Sequence, residues 1–318
     1  MATVLITGIQ GGLAHTVARQ LLDAGHEVVG VDYRQTPPLP PPLDGMRVYR
    51  ANYNKTAIED IFRHHAFDRV LHLGRVGNLK ESMGKRFDLN VVGSQKIMNL
   101  CRQHGVKRLI VLSTFHIYGA HPANHTPISE DDPLRAGTQF PQIADAIQLD
   151  NMASRWVYEN DGVSVVVVRP TNVVGPHIHN AMSNFLRGET VPHLAGFNPM
   201  TQFVHEDDIA RAVVMASEST ARGIFNVAGA GEVPWCTALA IAKAHTFPFP
   251  EPLAALAMRL FSAQPAYLIN FFKYPCVITD EAFRKAFGWR PEISIEETIW
   301  STVAEVRQQQ AARRGIAL

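Results

Sequence analysis

Thr7-Gly8-Ile9-Gln10-Gly11-Gly12-Leu13-Ala14 follows the β-branched run Thr3 to Thr7 and leads into Leu13 to Ala24, whose apolar residues recur at three-to-four spacing. Strand, glycine-rich turn and amphipathic helix in that order make the first βα unit of a parallel sheet. Gly8 permits the tight turn, Gly11 lets backbone N–H groups approach a phosphate, and small Ala14 lets the helix lie close on the sheet. The helix N-terminus adds partial positive charge for an anion. Asp32 ends the next β-branched run, Glu27 to Asp32, about 20 residues on, where a carboxylate binds ribose hydroxyls. Loop and acid together predict a dinucleotide site, although capping a turn is the plainer role for Asp32. A carboxylate there favours NAD by repelling a 2′-phosphate, while Arg34 leaves NADP open.

Outward from this unit the first half alternates strand and helix patterns. Arg69 to Leu73, Leu109 to Ser113 and Val163 to Arg169 read as buried strands, and Thr56 to His65 and Leu89 to His104 as helices with one apolar face. The fold expected is α/β: a Rossmann doubly wound parallel sheet over residues 1–170, with a smaller C-terminal substrate lobe over 171–318. Residues 200–230, which include the strand pattern Ile224 to Ala228, are expected to return to the first domain. Five prolines between Pro37 and Pro42 make a stiff surface loop after the second strand. Pro252 to Tyr274 is almost uncharged and split by Pro265, which predicts two short helices serving as core, dimer seam, greasy lid or membrane contact.

The totals exclude several classes of function. A formal charge of +1 without like-charge runs gives nucleic acid no footing. Three scattered cysteines, Cys101, Cys236 and Cys276, form neither a disulfide frame nor a metal motif, which points to the cytoplasm. The first apolar run lacks a basic flank and reads as a strand rather than a leader, and no run is long enough for a transmembrane segment. His177 and His179 have no acidic or cysteine companions at zinc spacing, so no metal is expected. Neither a G-x-S-x-G elbow nor a P-loop lysine is present.

Several ordered motifs resemble those of the extended short-chain dehydrogenase/reductases, in particular the NAD-dependent epimerase/dehydratase branch. Thr7 to Ala14 is similar to T-G-x-x-G-x-x-G with its last glycine replaced, Arg69 to Gly74 to the D-x-V-x-H-x-A-A strand, and Asn90 to Gly93 to N-V-x-G-T. Leu112 to Gly119 resembles the S-S/T-x-x-V-Y-G strand end, Arg169 to Pro176 the R-P-x-N-V-Y-G-P turn, and Phe203 to Ala210 the F-V-H-V-D-D-V-A segment. The resemblance implies that the Thr114 hydroxyl touches substrate and that Gly74 and Arg75 border the cofactor. The implied cofactor set is Gly8, Gln10, Gly11, Gly12, Leu13, Asp32, Tyr33, Arg34, Leu73, Gly74, Arg75, Asn90, Ser113, Arg169, Pro170 and Asn172.

One part of that pattern is missing. The family's tyrosine donates or accepts the proton that accompanies hydride transfer, and a lysine four residues later on the same helix lowers its pKa. The helix expected from about Pro141 to Asn160 places Ala146 and Asp150 there, or Ala144 and Gln148 in a shifted register. No lysine lies between Lys107 and Lys243, and no tyrosine between Tyr118 and Tyr158. An enzyme of this kind must use another group, with Thr114, His116, Tyr118, Asp145 and Asp150 as candidates. The alternatives are a catalytically silent NAD-binding sensor or partner subunit, or a scaffold with a decayed site.

By resemblance the substrate is a small-molecule alcohol, ketone or nucleotide-sugar. Met200-Thr201-Gln202 stands where sugar-diphosphate binders often carry arginine, and the apolar residues Leu253 to Phe272 favour a greasy ligand. A cavity lined by Arg187, Arg211 and His193 would instead favour the sugar. Relatives commonly form homodimers through helices that include the Pro141 to Asn160 stretch, and Ala153, Trp156 and Val157 suit that seam.

Overall fold

β1 (Thr3–Thr7), α1 (Gly12–Asp23) and β2 (Glu27–Asp32) form the expected first unit in a computed structural model. It describes all residues except 36, 78–80, 160–161, 255–265 and 315–318. β3 (Arg47–Arg50), β4 (Arg69–His72), β5 (Arg108–Leu112), β6 (Ser164–Pro170) and the strand Gly223–Val227 complete a seven-stranded sheet. Its order is Gly223–Val227, β6, β5, β4, β1, β2, β3, every pairing is parallel, and the order reverses between β1 and β4. Ligands bind at such a switch point, outside the carboxyl ends of the strands.

Val165 to Val168 in β6 are wholly buried, as a strand covered on both faces requires. On one face lie α1 and the helix Glu206–Glu218, through Val17, Leu21, Ile209 and Val213. The opposite face is covered by Thr56–His64, Ser94–Gln103 and Ala144–Glu159, through Ile58, Phe62, Ile97, Met98, Leu149 and Ala153. Each of the larger side chains contributes roughly 1.5–3 kcal/mol by leaving water, and the Ala153 methyl less. β3 escaped the sequence reading because its Arg-Val-Tyr-Arg run is polar at both ends, and it pairs on one side only.

The lobe is assembled from small pieces. Asn172–Val174 pairs with Phe203–His205, Thr190–Leu194 with His245–Phe249, and Met200–Thr201 with Val233–Pro234. Trp235, Leu186, Phe203, Ile299 and Val303 form its core, the last two from the long helix Ile295–Arg314. Of the expected Pro252 to Tyr274 helices, Ala266–Phe272 is a 3-10 segment, and the break at Pro265 lies outside the described residues. Among the described residues no helix is long and apolar enough to cross a membrane, and no three His, Cys, Asp or Glu side chains gather as a metal site.

Candidate active site

Gly8 turns at φ +74°, and a Cβ on it would overlap the Gly74 backbone. Only glycine therefore lets the loops after β1 and β4 cross this closely. Gly12 is equally constrained, since a Cβ there would strike the His177 carbonyl. The sequence reading credited Ala14 with close helix packing and missed this contact, which joins residues far apart in the chain.

Beneath the loop runs a buried polar chain. Thr7 Oγ1 accepts from the Gly74 amide at 3.1 Å and lies 2.8 Å from His72 Nδ1, whose Nε2 is 2.7 Å from Ser94 Oγ. Ser94 in turn donates to the Asn90 carbonyl at 2.7 Å. One arrangement satisfies every group: Thr7 donates to Nδ1, and Nε2–H donates to Ser94. Burial drops His72 to about 4, so it is neutral near pH 7.

At the end of β2 Asp32 is wholly buried and Arg34 is 47% exposed. Asp32 Oδ1 accepts from the Arg34 amide at 2.9 Å and Nε at 3.0 Å, and Oδ2 from Nη2 at 2.9 Å and the Gln10 amide at 3.1 Å. Burial pushes this carboxyl up, but the Arg34 bonds and charge, with the Gln10 amide, outweigh it and hold it below the ordinary range.

Beyond the loop opens a cavity of about 820 Å³. Of the residues named from sequence, Gly11, Gly12, Leu13, Arg75, Ser113, Thr114, His116, Asp145, Pro170 and Asn172 border it. Thr114 caps the 3-10 turn Phe115–Tyr118, and its Oγ1 lies 2.9 Å from His116 Nδ1. The imidazole packs against Phe115 and Phe271, with ring centroids at 4.4 and 4.8 Å. Burial, then the charge of Arg75, pulls His116 down to about 3.

Two catalytic candidates do not reach the cavity. Asp150 accepts from Ser113 at 2.5 Å and takes Arg169 in a two-point pair at 3.0 and 2.6 Å, with both partners buried. Tyr118 OH donates to Asn226 at 2.8 Å and accepts from Arg169 at 2.9 Å, and burial, only partly offset by Arg169, pushes its hydroxyl up to about 12. Both are corrected to structural roles, because every polar atom they offer is already engaged inside the protein. Arg169, expected at the cofactor, is the hub of that knot. Asn90, also expected there, instead clamps the Val76 backbone at 2.8 and 3.1 Å and donates to Asp145 at 2.6 Å.

Arg86 and Asp145 form a second buried pair at 3.2 Å on the cavity wall. Much of the remaining lining is apolar, with Ile178, Met182, Phe185, Leu268, Phe271 and Phe272, and Leu268 and Phe271 pack against Ile143 and Ala146 beside that pair. Phe271 and Phe272 belong to the greasy stretch seen in sequence, whereas Arg86 carried no motif that marked it. Arg187, Arg211 and His193 are not part of the lining. Arg187 instead donates to the carbonyls of Thr302, Ile178, Gly175 and Pro176, and Arg211 is paired with Asp208. Where sugar-diphosphate binders often carry arginine, Gln202 is spent on the Ile278 amide and carbonyl.

A family model described as NAD dependent epimerase/dehydratase family matches residues 4–228. An uncharacterized protein of Mycobacterium tuberculosis is 26% identical over 208 residues, which are 64% of this chain and 54% of that protein. The chain thus spans about half the length of this relative. A UDP-glucuronate 4-epimerase of Thermodesulfobacterium geofontis is 27% identical over 330 residues, 95% of each chain. Among solved structures, the UDP-glucose 4-epimerase of Thermus thermophilus in complex with NAD has the same fold, with a TM-score of 0.76. It is 24% identical, over 96% of this chain and 99% of that one.

Proposed function

The chain belongs to the NAD dependent epimerase/dehydratase family, and from that premise we propose that it is an NAD-dependent oxidoreductase acting on an apolar alcohol or ketone. Thr114 and His116 then serve where relatives use tyrosine and lysine. The observation that carries this is the 2.9 Å contact between Thr114 Oγ1 and His116 Nδ1 on the wall of the cavity. The coenzyme fits the residues present: Gly8 and Gly12 leave the loop no room for a Cβ, the Gly11 amide closes the turn on the Gly8 carbonyl at 2.9 Å, and the helix start at Gly12 and Leu13 borders the cavity.

NAD supplies the hydride acceptor, and in its reduced form the donor. Thr114 holds the oxygen on the reacting carbon by a hydrogen bond. His116 stays neutral at physiological pH because burial disfavours its charge. Its Nδ1–H then donates to Thr114 Oγ, and the Thr114 hydroxyl donates to a substrate carbonyl, as neutral imidazole does in other electrophilic sites. In the reducing direction Thr114 passes its proton to the forming alcohol and is refilled from Nδ1, while a proton enters at Nε2. The ring remains neutral throughout. Ile178, Met182, Phe185 and Phe271 hold the apolar body and exclude water.

Cytoplasmic residence and a homodimer complete the proposal. Of the seam residues named from sequence, Ala153 and Val157 are spent in the core against the sheet, so a second copy would rest on exposed side chains such as Phe87, Val92 and Tyr158, and sedimentation velocity tests it.

The deciding experiment follows nicotinamide absorbance with apolar ketones, alcohols and nucleotide-sugars as a panel. Turnover of apolar carbonyls that is lost in Thr114→Val and His116→Phe but kept in Tyr118→Phe is the expected result. Turnover confined to nucleotide-sugars defeats the substrate assignment. Coenzyme binding without any turnover would make the chain a catalytically silent NAD-binding sensor or partner subunit, which the missing tyrosine and lysine also favour.

A further inference from the structure

Among the described residues two buried arginines are ion-paired with buried carboxylates, and they are satisfied unequally. Arg169 spends Nε and Nη2 on the two oxygens of Asp150, and Nη1 on Tyr118 OH and the Glu130 carbonyl. Arg86, with its side chain 5% exposed, meets Asp145 through a single N–H at 3.2 Å. Its Nη2 donates to the Gln142 carbonyl at 2.7 Å and lies 3.4 Å from Met83 Sδ, a weak acceptor. Its Nε is buried with no hydrogen-bond partner. Asp145 is itself divided, since its other oxygen accepts from Asn90 at 2.6 Å. A buried guanidinium short of acceptors is costly. Arg86 and Asp145 both border the large cavity, so the missing acceptors can come from a ligand.

We infer that Arg86 anchors a carboxylate on the substrate, so that the compounds taken are oxo and hydroxy acids with an apolar chain, their reacting carbon at Thr114 and their acid group at Arg86. The inference deepens the apolar-substrate reading of this cavity and rests on it. A carboxylate brings acceptors and no donors, which is what Arg86 lacks. Among the described residues of the lining, Arg75 and Arg86 stand against one carboxylate, Asp145, which favours an anion over a cation. A phosphate dianion suits the place less, because Asp145 stays bonded to the same guanidinium and repels the second charge. Phe271 connects the two polar ends. Its ring centroid is 4.8 Å from that of His116, and with Leu268 it packs against Ile143 and Ala146, which flank Asp145. A hydrocarbon chain laid along Phe271 and Leu268 spans from one to the other.

Calorimetric titrations of the full chain near neutral pH, with NAD in excess, compare octanoate with octan-1-ol. Excess NAD keeps the acid from the amides of the glycine loop, the other place where an anion could settle. Wild type is expected to bind octanoate at least about tenfold tighter than the alcohol, the worth of charge-assisted hydrogen bonds. Arg86→Met should bring the acid down to the affinity of the alcohol or below it. Arg86→Lys, which keeps the charge without the fork, should retain part of the preference. The ratio of the two affinities within one variant reads the anchor, since damage to the cavity wall lowers both together. Should Arg86→Met fail to fold, Arg86→Gln, neutral but still able to bond the Gln142 carbonyl, takes its place. Equal affinity for acid and alcohol in wild type overturns the inference and leaves the apolar reading standing, as does a preference that survives in the neutral variant. If wild type binds neither compound, the apolar reading falls and takes this one with it.

Discussion

Replacing Asp150 by alanine separates a structural from a catalytic role at the position where relatives carry lysine. Asp150 is wholly buried, and Arg169, its two-point partner, is 3% exposed. Asp150→Ala strands a guanidinium in the interior with only Tyr118 OH and the Glu130 carbonyl as acceptors. It also orphans the Ser113 hydroxyl. Breaking a buried pair from one side costs about 3–5 kcal/mol. With an unfolding entropy of about 2.1 cal/mol/K per residue, that lowers Tm by roughly 4–8 °C for this chain. The assay is guanidinium denaturation of coenzyme-free protein, with a thermal melt alongside. Asp150→Ala combined with Arg169→Met should recover more than half of the loss, because no charge is then stranded. Turnover per folded molecule should stay within a few-fold of wild type. A loss below about 1 kcal/mol, or intact stability with abolished turnover, refutes the reasoning.

Acid stability follows from the two buried imidazoles. His72 and His116 titrate at about 4 and about 3 in the folded chain, against about 6.5 when unfolded. Below about pH 6.5 the unfolded state therefore binds protons that the folded state refuses, and each histidine removes up to ~1.4 kcal/mol per pH unit as pH falls toward its folded value. His116→Gln should flatten that slope in denaturation midpoints taken at several pH values, and an identical slope would falsify it. For the same reason the turnover profile of wild type should show no inflection from His116 between neutral pH and about pH 5, and a step that disappears in His116→Gln counts against it. Gly8→Ala should weaken NADH at least about tenfold, since left-handed backbone costs about 1–2 kcal/mol before any overlap with Gly74. Unaltered affinity in the titration contradicts this. Phe271→Ala should raise KM for apolar substrates about tenfold, from the ~1.5–3 kcal/mol of a buried ring, with a smaller effect on kcat; a kcat loss alone argues otherwise.

Most of the sheet could be read from local pattern, because strands buried on both faces leave runs such as Val165 to Val168 with no polar residue. β3 could not, for its arginines sit at an edge where polarity costs nothing. At the site, the glycine loop and Asp32 were readable since they lie within one βαβ unit. The positions of Tyr118, Asn90 and Asp150 were not. Each belongs to a strand or helix that passes the cavity, and which way its polar atoms point depends on partners distant in sequence: Asn226 for Tyr118, Val76 for Asn90 and Arg169 for Asp150. The same is true of Arg34, whose closure onto Asp32 is set by a side-chain rotamer rather than by residue type.

The Thr7, His72, Ser94 and Asn90 chain ends on the Gly74 backbone at one side and, through the Asn90 amide, on Asp145 at the other, the residue before Ala146. The floor of the glycine loop is thus braced against the helix on which relatives carry their proton-handling pair, but through Asp145 rather than through Ala146 or Asp150. A protein wired this way can exchange the side chains at those two positions while the brace beneath its nucleotide loop stays in place, and that makes an ancestor with tyrosine and lysine a workable starting point for the chain described above.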